Sequence, residues 1–173
     1  MRNPLKILQE EHNILLSAVK LGLNIQKVEN NEEYRHLVND FILFIRNYSE
    51  IYHFPKEEQF LYPILRNRSE QMGEEFLYEI YDNHEDFRAM VSEIEIHFAN
   101  YNHDLLRSVM TRYLREMFDH MNQENRVVLN NASALLTEQE MESLYEKFMI
   151  HDEKHGEKKH LERDFYKISV ELS

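Results

Sequence analysis

Two pairs of residues in this chain have the types and spacing for metal binding. His53 and Glu57 stand four positions apart, as do His120 and Glu124. On an α-helix that interval puts an imidazole and a carboxylate on one face, one turn apart. His84 lies between the pairs and His12 ahead of them, which completes a set of six potential ligands. Six is too many for one four-coordinate zinc and suits two octahedral ions that share bridging carboxylates.

The elements that must position these residues read as helices. Three glycines and three prolines in 173 residues leave few tight turns, and a chain of this length forms one domain with a substantial core. Leu5, Leu8, His12, Leu15, Val19 and Leu23 recur at steps of three and four, so a first helix is expected over 4–28. A second, over 33–66, carries Val38, Phe41, Ile42 and Ile45 towards His53 and Glu57. Pro55 falls between those two ligands, where it deletes a backbone hydrogen bond and should kink the helix, at about 3 kcal/mol if uncompensated. Pro63 lies near the expected helix end.

Asn67, Arg68, Ser69 and Gly73 mark the next turn. The third helix, 74–100, has the cleanest stripe: Leu77, Ile80, His84, Phe87, Val91, Ile94 and Phe98. Asn100-Tyr101-Asn102 turns the chain into a fourth helix that bears Leu106, Val109, Tyr113, Met117, His120, Glu124 and Val127 to about residue 131. Thr137-Glu138-Gln139-Glu140 fits a capping box and starts a fifth helix near 138, which turns strongly polar after His151 and is weakened by Gly156. The expected fold is all-α, an up-down-up-down four-helix bundle with an additional C-terminal fifth helix. Residues 1–134 would form the metal-binding bundle and 135–173 an extension packed on the same domain.

An antiparallel bundle offers a check on the ligands. Residues at one height on adjacent helices lie about equally far from the joining turn. The midpoints of His12/His53, His53/His84 and His84/His120 fall at about 32, 68 and 102, each at a turn expected from composition. His36, His97 and His103 point roughly 100–140° away from the ligand on their own helices and read as surface residues. A single histidine in an apolar stripe is usually a hydrogen-bonded core residue. Four at one height, with two carboxylates that would cost several kcal/mol each to bury without cations, favour metal. A ferritin-like site would want Glu-x-x-His on two helices; Glu50-x-x-His53 fits one half, the fourth helix offers only Glu116-x-x-x-His120, and the stray Glu33-x-x-His36 and Glu157-x-x-His160 do not restore the order.

Other chemistries are excluded. Without cysteine there are no disulfides, thiolate zinc sites, iron–sulfur clusters or thiol catalysis. Glycine-rich phosphate loops and a Gly-x-Ser-x-Gly elbow are absent. A net charge of −12 with no basic stripe argues against nucleic acid and anionic membranes. No apolar leader region and no run of about 18 apolar residues occurs, so the expected compartment is the cytoplasm.

The ordered set H…H-x-x-x-E…H…H-x-x-x-E, with His-x-x-Lys-Glu-Glu-x-x-Leu-Tyr-Pro in the second helix, resembles the hemerythrin-like (HHE) cation-binding domain over roughly residues 5–130. The resemblance implies two non-haem iron ions, with His12 and His53 on one, His84 and His120 on the other, and Glu57 and Glu124 bridging them beside an oxo or hydroxo group. It departs from oxygen carriers of the family at Arg88, where they have a further histidine, and at Asn125, where they have an aspartate. Four histidines with two glutamates are closer to di-iron proteins of nitric-oxide stress and iron–sulfur cluster repair, and to iron or oxygen sensors. The repair proteins usually add an N-terminal segment bearing cysteines, and the absence of cysteine from this sequence argues against that role. The implied function is binding or sensing of O₂, NO or iron, the alternative a redox enzyme or iron donor in stress response and repair. Arg88 is expected either to swing outward to an acid or to face a bound ligand. The tail histidines His151, His155 and His160 are expected to stay out of the ligand set.

Overall fold

The computed structural model describes residues 3–68, 74–155 and 158–171. Six helices account for nearly all of them: α1 (Pro4–Ile25), α2 (31–66), α3 (Glu74–Ala99), α4 (103–135), α5 (Glu138–His155) and α6 (Lys158–Glu171). Helices α1 to α4 form the expected bundle, each packed on its chain neighbour, with α4 closing back onto α1. The ends are set by local chemistry. Asn3, Asn30 and Asn102 accept hydrogen bonds from the first free backbone N–H groups of α1, α2 and α4. Thr137 and Glu140 cap α5 reciprocally, Glu140 N–H donating to Thr137 Oγ1 and Thr137 N–H to Glu140 Oε2. The turn before α4 places Tyr101 at φ 57°, the left-handed region.

The core is split in two. One apolar cluster joins Leu15, Val19, Phe41, Tyr48, Phe87, Tyr113 and Met117, and the other joins Leu8, Leu61, Leu65, Ile80, Val128 and Phe148. On every bundle helix the proposed ligands lie between residues of the two clusters, so the polar layer is walled above and below by hydrocarbon. The tail completes both walls. Leu144 and Phe148 of α5 enter the second cluster, and Phe165 and Ile168 of α6 enter the first, where Phe165 meets Phe44.

Three details differ from the sequence expectation. The extension holds two helices, because α6 carries just enough apolar surface at Phe165 and Ile168 to dock on α2 despite its polar composition. Leu23 is 46% exposed, since the buried stripe of α1 passes instead through Gly22 and Ile25. Helix α2 is also not α-helical throughout. It widens into π-helical turns over Arg46–His53 and Glu57–Leu61, and α4 does the same over Glu124–Val128. Phe54 N–H reaches back five residues to Ser49 O and Tyr62 N–H to Glu57 O, in each case immediately before a proline. The wider turn accommodates a residue that has no N–H and whose ring would collide with the carbonyl four back. Ser69, Gly73 and Gly156, and the side chains of Leu77 and His160, lie outside the described residues.

Gly22 is where three helices touch. A Cβ there would stand 2.4 Å from Leu114 Cδ2 and 3.0 Å from Phe41 Cζ, and both side chains are themselves buried. Gly22→Val is therefore expected to overpack the junction of α1, α2 and α4 and cost about 2 kcal/mol. A chemical-denaturation midpoint below that of the wild type checks this.

Candidate metal centre

The widened turns aim the side chains. His53 ends the first, Glu57 begins the second and Glu124 begins the third. Helices α1 and α3 stay regular and contribute His12 and His84 from their apolar stripes. All six side chains are buried and meet at one level of the bundle.

Their geometry is convergent. His12 Nε2 lies 3.1 Å from Glu57 Oε1 and 3.4 Å from Glu124 Oε2. His53 Nε2 lies 3.5 Å from Glu57 Oε2, and His84 Nε2 3.6 Å from the same oxygen and 3.9 Å from Glu124 Oε1. His120 Nε2 is 3.4 Å from Glu124 Oε2 and 3.0 Å from His84 Nε2. All four imidazoles therefore turn Nε2 inward, and each carboxylate reaches histidines of both pairs. The oxygen and nitrogen atoms gather as one group of His12, His53, Glu57 and Glu124 and another of His84, His120 and Glu124. His36, His97 and His103 stand apart from these groups, His36 exposed and the other two half-buried.

The inward atoms fit cations. Glu57 is pushed well above the usual carboxylate range, first by burial and then by the charge of Glu11, and burial lifts Glu124 to about 8. Burial also holds His53, His84 and His120 below the ordinary histidine value, so their imidazoles are neutral and free to donate lone pairs. His53 Nε2 and Glu124 Oε2 have no hydrogen-bond partner among the described residues. Two buried carboxylates facing four inward-turned imidazole nitrogens are what divalent cations would compensate.

Around this layer stands an outer ring that the sequence reading did not find. His12 Nδ1 is 2.8 Å from Asn125 Oδ1, His53 Nδ1 is 2.8 Å from Glu11 Oε2, and His84 Nδ1 is 2.8 Å from Glu58 Oε1. Such partners fix the ring orientation and raise its basicity. The buried Tyr62 hydroxyl donates to Glu124 Oε1 at very short range and lies 3.4 Å from Glu57 Oε2. Burial and the two carboxylates raise its pKa well above the usual value, so it keeps its proton. Three of these residues directly adjoin a ligand in sequence (Glu11, Glu58, Asn125), which is the one signal that could have marked them.

The open questions at Arg88 and the tail have structural answers. Arg88 turns outward, with NH2 2.8 Å from Glu58 Oε1 and NH1 2.7 Å from Glu85 Oε1. His151 is buried but donates Nε2–H to the Tyr52 carbonyl at 2.9 Å and packs against His155, ring centroids 4.3 Å apart. It belongs to neither group of metal-binding atoms. No helix among the described residues is long and apolar enough to cross a membrane.

Comparison with known families gives one match, a model described as hemerythrin HHE cation-binding domain, over residues 3–132. No curated protein matches the chain.

Alanine at His84 or His120 is expected to cost the protein one bound metal ion, whereas His36→Ala and His151→Ala keep full metal content. Elemental analysis of the purified variants is the check, and equal metal in all four would refute the layer as the binding site.

Proposed function

This chain belongs to the hemerythrin HHE cation-binding domain family, and from that premise we propose that it holds two iron ions and binds a diatomic ligand, O₂ or NO, at one of them. Cation binding itself follows from the family and the buried His/Glu cluster. The observation that carries the finer reading is the reach of each carboxylate to histidines of both pairs.

In the proposed centre His12 and His53 would hold one ion and His84 and His120 the other, with Glu57 and Glu124 shared between them. So small a set of protein donors would leave positions on each ion open to an outside ligand. When bound, the iron pair supplies exchangeable positions and one-electron redox capacity. The protein supplies the rest. The two apolar clusters exclude bulk water from the layer, and Tyr62 presents a proton to both carboxylates. Arg88 is held by Glu58 and Glu85, so no guanidinium competes for the space beside His84. Binding or sensing is preferred over turnover because, among the described residues, Tyr62 is the one side chain that donates a proton to Glu57 and Glu124 without being a proposed ligand, and that proton is firmly held.

Iron content is expected near two atoms per chain after expression in iron-replete medium, and azide or NO is expected to change the optical spectrum of the loaded protein saturably. One tightly held zinc with no iron would refute the di-iron reading. Sustained steady-state consumption of peroxide or NO would replace the binding role with an enzymatic one.

A further inference from the structure

One buried chain of charges leads from the metal layer into the C-terminal extension, beyond residue 132 where the family match ends. His53 Nδ1 meets Glu11 Oε2 at 2.8 Å, and Glu11 Oε1 meets Lys56 Nζ at 2.6 Å. Lys56 Nζ in turn forms a 2.6 Å ion pair with Asp152 Oδ1 of α5. Glu11 and Lys56 are fully buried, and Asp152 is 23% exposed. The ammonium also lies 3.7 Å over the Tyr52 ring, and the Tyr52 carbonyl receives His151. Two consecutive residues of α5 thus hold α2 on either side of His53, His151 at the Tyr52 carbonyl and Asp152 at Lys56.

The other half of the layer has a comparable sequence of contacts, His84 to Glu58 to Arg88 to Glu85, but it opens to water. Arg88 is 27% exposed and Glu85 64%. Solvent and salt screen that arm. In the Lys56 arm the two charges nearest His53, Glu11 and Lys56, are fully buried, so they are screened less than Arg88 and Glu85. A buried ion triad is a poor device for stability alone, because an apolar packing of the same volume would cost less desolvation. Its position at the outer nitrogen of a proposed ligand gives it another use.

We propose that Glu11, Lys56 and Asp152 are positioning residues for His53, and that through Asp152 the docking of α5 sets how tightly and at what potential the adjoining iron is held. The inference rests on the six-ligand reading above. Glu11 draws on the Nδ1 proton and makes His53 a stronger donor. Lys56 moderates that pull, and Asp152 offsets Lys56. Since coupling is reciprocal, iron at His12 and His53 should also fasten α5.

The test uses the full-length protein loaded anaerobically with ferrous iron, followed by chelator challenge and by the reduction potential of the loaded form. Glu11→Gln is expected to loosen one of the two ions about tenfold, in the range for outer partners of metal-bound histidines, and to raise the potential. Asp152→Asn should move both readouts the same way by less, Asp152→Glu should restore them, and Glu85→Gln should move neither. If Asp152→Asn behaves as wild type, α5 is a bystander and the inference falls while the six-ligand reading stands. If the wild type retains no iron, the reading beneath it falls. Should the variants not fold, amide exchange on the wild type decides. Iron loading is expected to slow exchange in Glu138–His155 more than in Lys158–Glu171, and equal slowing overturns the proposal.

Discussion

The constraint on which the rest depends is the burial of Glu57 and Glu124. A carboxylate removed from water costs several kcal/mol unless charge or hydrogen bonds replace the lost hydration. Here the partners at hand are imidazoles and one phenol, and the rise of Glu124 to about 8, driven by burial, expresses that deficit. Among the described residues no lysine or arginine pairs with Glu57 or Glu124, and Lys56 and Arg88 face the outer ring. The site is therefore built for a cation that arrives from outside, and the surrounding structure holds the carboxylates in readiness for it.

That holding is distributed over the whole fold. Two apolar clusters clamp the layer from either side, so its side chains keep their depth in the bundle. Widened turns supply the aim, and in α2 they coincide with Phe54-Pro55 and Tyr62-Pro63. The prolines that threatened the helix are instead the places where its pitch changes beside a ligand. Asn125, Glu11 and Glu58 then fix three imidazoles from behind, while His120 Nδ1 has no such partner among the described residues. The two halves of the layer are alike in ligands and unlike in support.

Much of this was legible in the sequence. Helical periodicity exposed His12 and His84 as polar residues in apolar stripes, and equal distances from turns placed four histidines at one height. The capping box at Thr137 and Glu140 was equally plain, because it is local. What escaped depends on contacts between distant segments. Lys56 is buried beneath α5 and paired there with Asp152, and no local pattern announces that docking. Helix α6 escaped for a related reason, since its apolar surface is small and acquires meaning only against Phe44. The π-helical turns were hidden because proline predicts a disturbed helix without saying which disturbance resolves it. Leu23 misled because the stripe continues through a glycine that hydropathy does not count.

The central proposal is that one buried layer holds two ions joined by Glu57 and Glu124. X-ray absorption at the iron edge of the loaded full-length protein addresses it directly. Two bridged ions predict a nitrogen and oxygen first shell together with a metal–metal vector at roughly 3.5 Å, the lower end of the spacing of two-metal sites. A first shell of the same kind with no metal–metal vector, at full iron loading, would contradict it and leave a single ion in its place.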